Sequence, residues 1–173
     1  MHTVTVQVVR PIGDVVQKTA AERTAVLLLG CPQVPVQTSI ALYLLSLLRK
    51  KNIKGTIAGN PAARRLVEVS DPDRHYVGEV IDIDRCVADL AEKRRDFNLC
   101  FAFIHNDAGV SYAATIGSLS GGSLVALIYG EHPEEVAETL TVPCEKIVVK
   151  ATHNPMPLKN KLDEVLPWVV SNL

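Results

Sequence analysis

Short apolar runs alternate with longer stretches of helical pattern along most of this chain. Ala25 to Leu29 is a continuous run of five apolar residues. Such a run is too short for a helix and typical of a strand covered on both faces. A helix is predicted from about Val36 to Lys50, with Pro35 at its start and Arg49 and Lys50 in its last turn, where the backbone dipole favours cations. Ile53 to Ala58 is the second strand, and Asn60-Pro61 opens a helix to about Val69. The polar stretch "SDPDRHYVGE" is a loop, followed by a short strand around Val80 and Ile81 and a helix from Asp84 to Arg94. Leu99 to Ile104, Leu124 to Tyr129 and Lys146 to Ala151 are three further strands. Their helices are predicted over Ala108 to Leu119, Pro133 to Leu140 and Leu158 to about Leu166, where Pro167 is expected to interrupt the last one.

Strands alternating with helices at this spacing argue for right-handed β-α-β units. The fold class predicted is α/β: a three-layer sandwich, Rossmann-like, with a mostly parallel sheet of five or six strands in the order 3-2-1-4-5-6. Residues 24–173 form this single domain and residues 1–23 stand outside the pattern. Within them, Thr3 to Val9 places Val4, Val6 and Val8 on one face and Thr3, Thr5 and Gln7 on the other, the period of a half-buried strand. Two partners are open for it: the edge of its own sheet, or a second copy of the chain in a homo-oligomer.

Composition narrows the function classes. The chain has 173 residues, enough for one core, and its 18 basic and 19 acidic side chains give a net charge of −1. A nucleic-acid partner needs a basic excess or stripe, so none is expected. The densest apolar stretch, Ile40 to Leu48, is interrupted by Ser46 and closed by Arg49-Lys50-Lys51. That is too short for a membrane span of about 20 residues. No charged n-region followed by an apolar h-region opens the chain, and the expected compartment is the cytoplasm. The four cysteines, Cys31, Cys86, Cys100 and Cys144, contain no C-x-x-C pair, so neither a zinc ribbon nor a disulfide framework is predicted.

In an open parallel sheet, ligands bind outside the carboxyl ends of the strands. The first strand is followed there by Gly30, Cys31, Pro32 and Gln33, and the second by Asn60 and Pro61. His105, Asn106 and Asp107 follow the fourth, Glu131 and His132 the fifth, and His153 and Asn154 the sixth. Three of the five histidines and one cysteine thus share an edge. The competing explanation is local: Asn, Asp and Pro are what helix starts use to satisfy orphan N–H groups. Cys31 near a helix N-terminus is either a nucleophile or a small residue filling a corner. With no short ligand spacing, no metal site is predicted. The first corner lacks G-x-G-x-x-G and its prolines remove N–H groups, which disfavours a nucleotide. "GSLSGG" (residues 117–122) belongs to the opposite edge and ends a helix. Asp71, Asp73, Asp82 and Asp84 are read as turn and cap residues.

The stretches "LGCPQVPVQ", "GNPAARRLVEVSDPD", "HNDA" and "HNPMPL", in this order and spacing, resemble a small archaeal family of unknown function found in methanogens. The resemblance covers about Thr24 to Pro167. It implies a three-layer α/β fold and a cytoplasmic protein, and it carries no cofactor and no catalytic residue; members can lack the first 23 residues.

Three function classes therefore stand. The leading one is a small-molecule-binding or accessory protein in methanogen metabolism, with a crevice at the C-terminal edge lined by Gln33, Asn60, His105, Asn106, Asp107, Glu131 and Asn154. The second is an enzyme or a sulfur or metal carrier using Cys31, as nucleophile with His153 or His105 as base or as a thiolate that two imidazoles join around zinc. The third is a structural interaction protein. An exposed Cys31 paired with an imidazole favours the second, a crevice without that pair the first, and a flat, closed edge the third.

Overall fold

The computed structural model describes residues 21–33 and 35–172; the strand expected over Thr3 to Val9 lies outside them. Strands and helices alternate as β1 (Arg23–Leu29), α1 (Val36–Lys50), β2 (Ile53–Gly59), α2 (Pro61–Ser70), β3 (Glu79–Asp82) and α3 (Ile83–Ala91). The second half repeats the pattern with β4 (Leu99–Ile104), α4 (Asp107–Leu119), β5 (Ser123–Gly130), α5 (Pro133–Thr139), β6 (Glu145–Lys150) and α6 (Met156–Ser171). All six strands are parallel in one sheet, ordered β3-β2-β1-β4-β5-β6. The five strands expected to be neighbours are neighbours.

The alternation of side chains along each strand sorts the core into two layers. Leu27, Leu29, Phe101, Phe103, Leu127 and Tyr129 face α1, α2 and α6. Their sequence neighbours Val26, Leu28, Cys100, Ala102, Ala126 and Ile128 face α3, α4 and the end of α5. Because β1, β4 and β5 are buried on both sides, their runs are continuously apolar rather than alternating. The chain winds outward from β1 to β3, crosses back through α3, and winds outward again from β4 to β6. That reversal leaves a topological switch point between β1 and β4, where the crossovers leave the sheet on opposite faces and a crevice can open.

Two expectations at helix ends need correction. Helix α6 does not stop at Pro167 but continues to Ser171. An interior proline costs about 3 kcal/mol. Leu166, Val169 and Val170 are buried around it, and each full burial contributes about 1.5–3 kcal/mol, so packing outweighs the lost N–H. Ser171 then donates to the carbonyls of Pro167 and Trp168 at 2.6 and 3.1 Å, closing the end. Helix α3 ends at Ala91 rather than Arg94, because Lys93 turns into the left-handed region at φ 55°. Smaller differences of a residue or two occur at other element ends; β6, for example, closes at Lys150.

Candidate functional site

The loops after β1 and β4 meet at the switch point. His105 Nε2 lies 2.7 Å from the carbonyl oxygen of Cys31. A carbonyl only accepts, so Nε2 carries the proton and donates. The His105 ring packs on Tyr129, with centroids 5.7 Å apart. Tyr129 is fully buried at the end of β5, and burial pushes its hydroxyl pKa upward. That hydroxyl donates to Gln37 Oε1 at 3.0 Å, and Gln37 Nε2 donates to the Gly30 carbonyl at 3.4 Å. The chain of contacts returns to the β1 loop where it began. It ties the ends of β1, β4 and β5 to the first turn of α1, fixing the corner that carries Cys31.

Cys31 itself is exposed. Its sulfur accepts from the Asn60 side-chain N–H at 3.6 Å, while Asn60 Oδ1 caps α2 by accepting from the Ala63 N–H at 2.8 Å. Capping thus aims the amide's other end at the thiol. Asn106 caps α4 in the same way, through Gly109 N–H at 3.1 Å. Glycine is needed at 109 because a Cβ there would sit 3.0 Å from the Ile104 Cα and 3.2 Å from the Phe103 carbonyl. The first turn of α4 can therefore press against β4.

Beside this corner, a cleft of about 420 Å³ runs between α3 and α4, lined by Asp84, Val87, Ala108, Ser111, Tyr112 and Thr115. Its lining runs from Asp84 and Ala108, in the first turns of α3 and α4 at the C-terminal edge of the sheet, to Val87 and Thr115 further along them. Tyr112 donates to Asp84 Oδ1 at 3.1 Å. Its pKa is raised by burial first, then by that hydrogen bond and by the charges of Asp84, Asp82 and Cys31. Asp82 caps α3 and meets Arg64 at 3.4 Å. Asp82 is thus a cap residue, as expected, whereas Asp84 lies in the first turn of α3 and serves Tyr112 and the cleft rather than a cap. Asp71 likewise accepts the N–H groups of His75, Tyr76 and Val77.

The other expected site residues are more dispersed. Gln33 is half-buried, and its Oε1 has no hydrogen-bond partner among the described residues. Asp107 is exposed in the first turn of α4. Glu131 pairs with Lys150 at 2.6 Å, and that hydrogen bond holds its pKa low. His153 is exposed and its Nδ1 meets Thr152 Oγ1 at 3.0 Å. Asn154 accepts from the Met156 N–H at 3.0 Å, a local turn bond. The ends of β1 and β6 are three strand spacings apart, about 14 Å, so the fold does not bring His153 to Cys31. His132 is exposed beside Glu135 at 3.7 Å. Among the described residues no group of three or more His, Cys, Asp or Glu side chains gathers as metal ligands, and no helix is long and apolar enough to cross a membrane.

Gln37, Tyr112 and Tyr129 belong to this region and were not anticipated. Gln37 carried a signal: it shares the stripe of Ile40, Ala41, Leu44 and Leu48, so a polar residue there had to be buried. Tyr112 and Tyr129 gave none that distinguishes a site residue from a core residue.

A family model described as "Domain of unknown function (DUF1890)" matches residues 26–165. The chain belongs to this family. A relative from Methanocaldococcus jannaschii, "Uncharacterized protein MJ0452", is 34% identical over 147 residues, covering 83% of this chain and 97% of that protein. A solved structure described as "Structure of MT0777" superposes with a TM-score of 0.76 at 35% identity, covering 83% of this chain and 97% of the other. The DUF1890 match thus spans β1 to α6 and includes the switch-point corner, whereas the first 25 residues fall outside it.

Proposed function

We propose that the protein is a cytoplasmic small-molecule-binding or accessory protein of methanogen metabolism, holding a polar ligand at the switch point over Cys31, Asn60, Asp84 and Tyr112. The observation that carries this reading is the fixed corner itself. The contacts from His105 through Tyr129 and Gln37 to Gly30 tie the ends of β1, β4 and β5 together, while the Cys31 thiol stays exposed next to the cleft between α3 and α4. Preorganised polar groups beside a crevice are what a binding site requires.

Clefts of about 480 and 350 Å³ lie at the opposite edge of the sheet. The polar groups of the first are engaged internally. Asp96 accepts from Ser120 Oγ and from the N–H groups of Phe97 and Gly121, and Asn98 Oδ1 accepts from the Thr24 N–H. Little hydrogen-bonding capacity is left there for a ligand. The C-terminal edge is the better site although its cleft, about 420 Å³, is smaller than the first of these.

The exposure of Cys31 also favours a second reading, a thiol enzyme or sulfur carrier. A nucleophilic thiol needs a base in hydrogen-bond reach. Here the sulfur's partner is the Asn60 amide, and His105 directs its Nε2 proton at the Cys31 carbonyl. This arrangement supports binding over nucleophilic catalysis.

The test is protection of Cys31. Alkylation by iodoacetamide is followed site by site in the presence of fractionated small-molecule extract from methanogen cells. A fraction that slows labelling of Cys31 and leaves Cys144 unchanged is expected. No slowing by any fraction counts against the binding reading.

A further inference from the structure

Arg64 lies in the first turn of α2, where the helix dipole opposes a cation. Its stem rests on the last residue of β2: a Cβ at Gly59 would sit 3.3 Å from the Arg64 Cγ. The Nε is buried with no hydrogen-bond partner among the described residues, while the side chain as a whole is 32% exposed, so the terminal nitrogens are its open part. Nη2 reaches Asp82 Oδ2 only at 3.4 Å, whereas Arg94 and Arg95 meet their carboxylates at 2.7 and 2.8 Å, the usual charge-assisted length. The guanidinium thus keeps spare donors at the C-terminal edge of the sheet.

Asp82 joins this cation to an anion. Its Oδ1 accepts from the Asp84 N–H at 3.0 Å. Asp84 is exposed, has no ion pair among the described residues and accepts from Tyr112 through Oδ1, which leaves Oδ2 open in the lining of the cleft. A helix start favours an acid and so accounts for Asp84. It does not account for Arg64.

We propose that the ligand of this edge is a zwitterionic α-amino acid, its carboxylate taken by Arg64, its ammonium by Asp84 and its side chain by the cleft beside Val87, Ala108 and Tyr112. This rests on the small-molecule-binding reading and names the ligand class. A simple anion would meet the charges of Asp82 and Asp84, and a simple cation would meet Arg64. One molecule carrying both charges a single carbon apart satisfies both. A carboxylate accepts two guanidinium N–H groups side by side, and the long, part-exposed contact to Asp82 holds Arg64 only weakly against it. A cleft of about 420 Å³ is within the range of small-molecule sites.

The test titrates the full chain with alanine, valine, leucine, methionine and threonine, each beside its primary amide and its des-amino acid. Binding is read from the backbone amide shifts of Asn60, Arg64, Asp84 and Tyr112. At least one amino acid is expected to bind at least about tenfold more tightly than its amide, which lacks the carboxylate, and than its des-amino acid, which lacks the ammonium. Arg64→Gln should bring that amino acid down to the affinity of its amide, and Asp84→Asn down to that of the des-amino acid. Amides or des-amino acids that bind as tightly as the amino acids overturn the proposal. So does an Arg64→Gln variant that weakens amino acid and amide equally, as a merely structural arginine would. Absence of binding across the series overturns it too, while protection of Cys31 by an extract fraction would then leave the binding reading standing. The matched series on the unaltered chain decides even where a variant fails to fold.

Discussion

Replacing Tyr129 by Phe removes one oxygen from the middle of the network that fixes the Cys31 corner. Tyr129 is fully buried and Gln37 is 1% exposed, so water cannot replace the lost hydroxyl at Gln37 Oε1. A buried acceptor left without a partner costs about 1–3 kcal/mol. For a domain of this length each kcal/mol lowers Tm by about 2–4 °C, so a 2 kcal/mol loss appears as about 4–8 °C. Gln37→Leu orphans the tyrosine hydroxyl and also removes the donor to the Gly30 carbonyl, so it is expected to cost at least as much. Combining the two leaves neither group unpaired, and exchanging both partners for apolar groups is close to neutral. The double variant should therefore be less destabilised than the two single costs added together, with a coupling of about 1 kcal/mol or more. Urea unfolding followed by far-UV circular dichroism measures all four corners of the cycle. Additive costs, or a Tyr129→Phe variant as stable as the parent, would refute the view that this network holds the corner.

Three further outcomes follow from individual residues. Asn106→Ala removes the cap of α4 and should lower stability by about 1 kcal/mol, with Asn106→Ser restoring most of it in the same urea titration. Among the thiols, iodoacetamide at neutral pH should label Cys31 first. Burial pushes Cys86 up to about 12 and Cys100 up to about 11, and raises half-buried Cys144, so faster labelling of any of these would contradict the assigned exposures. Burial alone would raise the Asp71 pKa, but the N–H groups of Val77, Tyr76 and His75 outweigh it and hold the pKa low. Its contribution is therefore present above the unfolded carboxylate pKa, near 4, and is lost as pH falls through the lower folded value. The stability gap between the parent and Asp71→Asn should shrink from pH 5 downward, and a gap independent of pH would exclude this linkage.

The architecture was legible because each of its causes is local. Runs such as Ala25–Leu29 and Leu99–Ile104 are apolar without alternation only if helices cover both faces, and the element spacing then leaves little choice but parallel crossovers. The caps at Asn60 and Asn106 were legible for the same reason, since Asn before a helix start has a nearby N–H to satisfy. What escaped depends on long-range packing. Pro167 looked like a stop because the burial of Val169 and Val170 against the rest of the core is invisible in a window around them. The edge location of Cys31 and His105 was readable, but the direction of the His105 proton was not, because it is set by a carbonyl 74 residues away. Tyr129 ends an apolar strand and is indistinguishable in sequence from a core aromatic. Its hydroxyl acquires a role only through Gln37, 92 residues earlier.

The central claim is that the C-terminal edge at the β1–β4 switch point is where this protein binds a small polar molecule. Backbone amide chemical shifts of the full chain, recorded against a panel of polar metabolites, test it most directly. The account predicts that a bound compound perturbs the amides of Gly30, Cys31, Asn60, Ala108, Ser111 and Tyr112 and leaves those of Asp96, Gly121 and Gly122 unmoved. Perturbations centred on Asp96, Gly121 and Gly122, with the Cys31 corner silent, would contradict it.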